Sequence, residues 1–353
     1  MPLYPLRFKP KLIPKMWGGW KLRDALGKAI SGDSRLIGES WELYDFPPGA
    51  TGPDAIGPGD DPAGWISAVV ANGPLAGQTL HGLLVERSRE LLGAAAAVET
   101  PHGPQFPLLI KFLDARDDLS VQVHPPPEYA AAHADAFVKN EAWHVLHAEP
   151  GSRLLLGTKP GVTPEAFRAS LSAGTTESLI QAVPVGVGET YYMPSGTLHA
   201  LGGGILAYEV QTPSDTTYRV FDFNRVDPST GRPRALHVEQ AMSCIQWQLN
   251  SLSNRTPRHT GNAVLARAPQ WLLMQLEFRG TDVYRLSHAD VPIVMTCVSG
   301  RGVVESGSSA EPFGLGDTLL LPPSGQSRLL PGDDTRLLLA TVPPGDVEHL
   351  RPR

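Results

Sequence analysis

The chain has 353 residues, of which 41% are hydrophobic and 19% charged, with a net charge of −6. That length can bury a sizeable core and sets a prior of about two domains. The acidic balance excludes a general polyanion binder, so no nucleic acid is expected as a partner, while a small anionic ligand needs only a local basic pocket. No apolar run approaches the ~20 residues that span a bilayer, and the first residues lack the apolar core of a signal peptide, so no membrane partner is expected. Cys244 and Cys297 fit no metal or redox spacing, and a reducing cytoplasm is the expected compartment. The 34 prolines and 36 glycines suit many short strands joined by tight turns.

Residues 1–60 read as strands and turns, with a short helix over Lys21–Leu26 and an alternating strand over Gly38–Tyr44. Residues 57–75 read as loop. Leu80, Leu83, Leu84, Leu91 and Leu92 recur at helical spacing within 79–92, with charged residues on the other side. Pro107–Asp114 and Leu119–His124 read as strands, the second ended by Pro125–Pro127. An Ala-rich helix over Glu128–Phe137 precedes a strand over Ala142–His147, and Arg153–Gly157 pairs back as a hairpin. Thr163 caps a helix that has Pro164 at its first position and runs to Leu171. A second helix is predicted over Thr176–Gln181, then a strand over Glu189–Met193. Ala235–Cys244 reads as a helix. These elements predict a larger β-rich unit over 1–250 with helical insertions. A linker over 251–268 and a smaller all-β unit over 269–353 follow, the latter built of short strands between Gly and Pro turns.

The chemistry concentrates in the larger unit. Gln122 and His124 are two apart, so on a strand both side chains take one face. Glu141 opens the next strand, and His199 follows the tight turn at Pro194-Ser195-Gly196. Each alone reads as an ordinary residue. Together they offer two nitrogens and two oxygens with no competing thiolate, a set that suits zinc with one position left open. Only Glu141 is charged, so a bound divalent ion would keep a net charge of about +1, suited to stabilising an oxyanion. Arg219 offers a planar fork suited to clamping a small anion. Metal-bound water, Lys139, Asp215 and Glu209 are candidates for proton transfer. Lys111, Glu209 and Arg225 are further candidates for substrate contact. The strand over Gly204–Gln211 is expected to lead from the metal at His199 to the clamp at Arg219. Gly202-Gly203-Gly204 reads as a turn that admits close backbone approach. His144 and His147 read as structural, on opposite faces of their strand.

The spacing Gly188-x5-Pro194-x-Gly196-x2-His199 resembles the second motif of the cupin fold. Leu119–Pro125, Lys139-x-Glu141, Pro194–Ala200 and Ser214-Asp215-x2-Tyr218-Arg219 together resemble the type I phosphomannose isomerases. Pro14–Gly19, Ala71–Pro74 and Leu236-His237 match the shorter bacterial branch of that family. The resemblance implies a mainly β fold of two cupin-type (jelly-roll) domains with helical insertions in the first. It implies one Zn2+ per chain on Gln122, His124, Glu141 and His199, with Arg219 in the active site. It implies an isomerase interconverting mannose 6-phosphate and fructose 6-phosphate through an enediol(ate), acting as a monomer or weak homo-oligomer. Asn140 departs from the family pattern, which commonly has Pro or Thr there, and Pro126-Pro127 replaces an acidic pair. Two rivals are another cupin metalloenzyme (an oxygenase or decarboxylase) and a non-catalytic sugar-binding cupin. The first usually takes three His and one Glu from a tighter His-x-His motif, and Gln122 replaces its first His. The C-terminal unit has no His-rich motif and is expected to be structural, shielding a sheet edge.

Overall fold

The computed structural model describes residues 2–30, 36–49, 64–228, 230–249, 254–288, 290–323 and 325–342. The fold is mainly β, as predicted, with 44% of the described residues in strands against 15% in helices. A seven-stranded antiparallel sheet has the order Arg255–Thr256, Thr190–Met193, Glu141–Ala148, Ile205–Gln211, Leu109–Ala115, Ile37–Leu43, Lys11–Gly19. A five-stranded sheet has the order Ile180–Pro184, Arg153–Thr158, His199–Leu201, Val121–Val123, Tyr218–Phe221. Leu113, Trp143 and Ala207 of the first sheet share one core with Leu154, Val183 and Leu201 of the second. No helix among the described residues is long and apolar enough to cross a membrane.

Towards the C-terminus a six-stranded and a four-stranded sheet enclose another core, with Leu276, Met295 and Leu339 facing Leu286, Val304 and Leu329. Leu6–Arg7, from the start of the chain, pairs with Thr318–Leu321 in the six-stranded sheet. A core reaching from Phe112, Tyr208 and Val210 to Leu273, Val294 and Leu338 joins this part to the back of the seven-stranded sheet. The C-terminal part therefore covers a sheet face, not the edge that was expected. This explains why Leu109–Ala115 and Ile205–Gln211 are buried at every position: both faces of their sheet are covered.

Several predicted elements change. The helix over 128–137 covers only Pro127–Ala132, because His133 takes extended backbone. The second helix is a single 3-10 turn over Thr176–Leu179 running into the strand Ile180–Pro184, where burial of Ile180 and Val183 outweighs local helix preference. The helix over 235–244 starts at Val238, since the Ala235 carbonyl and the His237 amide are bonded to Arg219 instead. The segment expected as a linker carries Arg255–Thr256 and Ala263–Arg267, which belong to two different sheets, while 251–253 lie outside the described residues. In the predicted loop, 57–63 also lie outside them, and Ile66–Ser67 pairs with Asp45–Phe46. His144 is buried with its Nδ1 2.9 Å from Thr190 Oγ1, and His147 is exposed beyond a register shift.

Candidate metal centre and adjoining cleft

Cross-strand register assembles the ligand set. His199 and Arg219 lie on the two strands that flank Val121–Val123, and both pair with Gln122. Directly paired residues share a sheet face, so His199, Gln122 and Arg219 form one row. The link from His199 to Arg219 is therefore made sideways across Gln122. The strand Ile205–Gln211 lies in the other sheet and does not carry it. The turn into His199 needs Gly196, whose φ is +85°; a Cβ there would come within 2.7 Å of Gln246 Cγ. The next turn is as tight: a Cβ on Gly202 would lie 2.0 Å from the Arg153 carbonyl oxygen.

His124, Glu141 and His199 converge, with one ligand atom from each within 4.8 Å of the others. His124 Nε2 is 3.3 Å from Glu141 Oε2, and His199 Nε2 is 3.0 Å from Glu141 Oε1. The Gln122 amide lies 3.4 Å from His199 Nε2. His124 Nδ1 faces the Thr216 carbonyl at 3.0 Å and His199 Nδ1 faces the Thr197 carbonyl at 2.8 Å. A carbonyl can only accept, so each Nδ1 carries the proton. In the neutral rings both Nε2 lone pairs then point at the carboxylate. Although Glu141 is fully buried, its Oε1 has no hydrogen-bond donor and its Oε2 has only the Lys139 ammonium at 2.9 Å, and His124 Nε2 has no donor either. Lone pairs facing a buried anion repel unless a cation lies between them, so this donor set fits a metal ion.

The electrostatics agree. Burial works against ionisation of Glu141, but the Lys139 ammonium, with Nζ 2.9 Å from Oε2, holds its carboxyl well below the usual range. Burial and the Lys139 charge bring His124 down to about 3, in spite of Glu141. His124 is thus a neutral imidazole, the form that binds metal, and its contact with Glu141 is not an ion pair.

Beside the ligands opens a cleft of about 730 Å³, open solvent included, lined by Gln122, Lys139 and Asp215. One wall is a row across the seven-stranded sheet, Trp41–Lys111–Glu209–Trp143. Lys111 Nζ lies 3.2 Å from Glu209 and 3.5 Å from Glu39, while Lys15 lies 3.2 Å from Glu39. Trp143 Nε1 donates to Glu209 at 2.7 Å, and its ring meets the His199 ring edge-on at 5.4 Å. Burial opposes the Lys111 charge, but Glu209 and Glu39 hold it well above the ordinary lysine value.

Burial would raise Glu39, yet Lys15, Lys111 and the Trp41 indole bring it down to about 2. A depressed carboxylate stabilises the fold above its unfolded value of about 4.5, and this is lost as pH falls towards 2. The urea midpoint of Glu39→Gln should therefore sit below that of the wild type at pH 7. The gap should close between about pH 4.5 and 2; a constant gap would refute the linkage.

Asp215 lies where the inner cleft meets an outer groove that includes Phe137 and His237. Arg219 is buried, with Nε bonded to Ser120 Oγ at 3.1 Å and a terminal nitrogen to the Ala235 carbonyl at 3.0 Å; Ser120 lines the cleft. Arg225, expected at the substrate, is bonded to Asp222 and the Asp118 carbonyl and lines neither the cleft nor the groove. Its charge holds a loop. Lys15, Glu39 and Arg234 line the cleft without having been singled out from sequence. Lys15 sat inside the Pro14–Gly19 motif; Glu39 and Arg234 had no local cue.

Paired antiparallel sheets around a buried His124/Glu141/His199 group that could hold a metal ion define a cupin-fold protein. The profile of the phosphomannose isomerase type I catalytic domain matches residues 64–149. A mannose-6-phosphate isomerase of Streptococcus mutans is 33% identical over 93% of this chain and 96% of its own. A probable mannose-6-phosphate isomerase of Bacillus subtilis is 40% identical over 74% of each. The crystal structure of the mannose 6-phosphate isomerase from Bacillus subtilis superposes with a TM-score of 0.75 at 27% identity, covering 96% of this chain and 99% of that one. The chain belongs to the type I phosphomannose isomerase family, and it is an enzyme of the isomerase class. That membership supersedes the oxygenase, decarboxylase and binding-protein readings.

Proposed function

We propose that this enzyme interconverts mannose 6-phosphate and fructose 6-phosphate through an enediol(ate), with one Zn2+ held by Gln122, His124, Glu141 and His199. The observation that carries the metal part is the pair of Nε2 lone pairs turned on a buried carboxylate whose Oε1 has no hydrogen-bond donor. When bound, zinc supplies a Lewis acid that polarises the sugar oxygens. The reaction moves a proton from C2 of the aldose to C1 of the ketose, while the hydroxyl and carbonyl exchange places. Lys139 and Asp215 line the cleft beside the ligands and are assigned the proton transfers. Glu209, bonded to Trp143 and Lys111, fixes the Lys111 ammonium at the cleft wall, where it meets the anionic substrate. Arg219, with Ser120, is assigned stabilisation of the charge that develops on the substrate oxygens. Trp17 and Trp143 give the cleft an apolar lining that limits water.

The functional unit is assigned to 1–250 and the smaller unit to 269–353. A cytoplasmic enzyme fits two buried thiols, both pushed up to about 12 by burial. A monomer or weak homo-oligomer remains the proposed state. The deciding experiment couples fructose 6-phosphate formation to a reductase readout, with and without chelator. Chelation should abolish turnover and zinc should restore it; full activity in metal-free protein would overturn the proposal.

A further inference from the structure

Asn140 lies between Lys139 and Glu141, is buried, and has each of its four polar atoms bonded. Its amide donates to Thr212 Oγ1 at 3.2 Å, and its carbonyl accepts from Thr212 N at 3.1 Å and from Trp271 Nε1 at 3.2 Å. Its side-chain oxygen accepts from the Ser195 amide at 2.9 Å, and its side-chain nitrogen donates to Gln270 Oε1 at 2.8 Å. Two distant segments therefore meet on this one residue.

The first is the turn that delivers His199. Ser195 is bonded to Asn140, the Gly196 amide donates to the His124 carbonyl at 2.9 Å, and the Thr197 carbonyl accepts from His199 Nδ1 at 2.8 Å. Three successive turn residues thus touch the Asn140 side chain beside Glu141, the backbone of His124 and the ring of His199. Ser195 Oγ also donates to the Lys139 carbonyl at 2.9 Å. The second segment is the start of the C-terminal unit. Trp271 is fully buried and meets Tyr192 edge-on at 5.5 Å, and Gln270 stands beside it, half-buried. Ligand atoms must be held within about 0.5 Å of productive geometry, and that precision comes from the groups that fix the ligands.

We propose that Asn140 is a positioning residue through which the C-terminal unit sets the geometry, and hence the metal affinity, of the His124/Glu141/His199 centre. The inference rests on the metal-site reading above. It gives the C-terminal unit a role in function that its lack of ligands had hidden.

The test measures zinc affinity of the full-length protein by competition with a chromogenic chelator, beside the melting temperature of the metal-free form. Asn140→Ala should weaken zinc binding about 10- to 100-fold. Gln270→Ala cuts one of the two bonds from the C-terminal unit, the Trp271 bond remaining, and should give a smaller loss of the same sign with the metal-free melting temperature unchanged. A merely structural role would lower that temperature and leave zinc affinity alone, which overturns the proposal. If Asn140→Ala does not fold, Gln270→Ala decides: weaker zinc binding supports the proposal and wild-type binding overturns it. A wild type that binds no zinc sinks the metal reading and this inference together. A wild type that binds zinc no better than either variant sinks the inference alone.

Discussion

Glu141→Gln is expected to lose its metal on dialysis and to reduce isomerase turnover by about a thousandfold or more. Glu141 is the only anion of the ligand set, and it is fully buried. Its replacement leaves two imidazoles and two amides, a neutral set that holds a divalent cation far more weakly. The outcome should differ from that of Glu141→Ala in one respect. The glutamine amide can donate to His124 Nε2 or His199 Nε2, which now face the carboxylate at 3.3 and 3.0 Å. Alanine leaves those nitrogens and the buried Lys139 ammonium without a partner. Breaking a buried pair by removing one member costs about 3–5 kcal/mol, so the metal-free alanine variant should unfold at lower urea than the glutamine variant. Metal analysis and urea titration check both parts. A glutamine variant that keeps a full complement of zinc would remove Glu141 from the ligand set.

Arg219→Ala should keep its zinc and lose about 10²- to 10³-fold in turnover, the usual loss when a donor to developing negative charge is removed. The register explains why these effects separate. Arg219 pairs with Gln122 on the side opposite His199, so it is one strand away from the metal ligands without being one. Its loss also leaves the Ala235 carbonyl without its guanidinium donor, a penalty of about 1–3 kcal/mol. Folding is therefore checked by melting temperature, and Arg219→Lys, which keeps the charge without the fork, should recover part of the activity. If Arg219→Ala retains wild-type kcat/KM on mannose 6-phosphate, the clamp reading fails and the phosphate must be held elsewhere in the cleft.

Local pattern carried the metal ligands further than it carried the cleft. Gln122 and His124 are legible because strand period two puts neighbours-but-one on one face, and no tertiary information is needed for that. Thr163-Pro164 marked a helix start because a cap and a proline act within one turn, and the helix Pro164–Ala173 follows. Residues 176–184 misled for the opposite reason: their strand exists because Ile180 and Val183 find a core built by other segments. Arg225 misled as well. Nothing local could say that Asp222 and the Asp118 carbonyl would take up its guanidinium.

By itself the sequence determined the class of fold and the family, because each rests on short-range spacing or on motifs that survive as strings. The tertiary structure alone decided which groups stand together. The row His199–Gln122–Arg219, the chain of charges from Lys15 through Glu39 and Lys111 to Glu209, and the meeting of Gln270 and Trp271 on Asn140 all join residues distant in sequence. The physical reason is register. Pairing between strands is chosen by the burial of whole sheet faces, and a shift of one residue would turn the side chains of the first two sets to the other side.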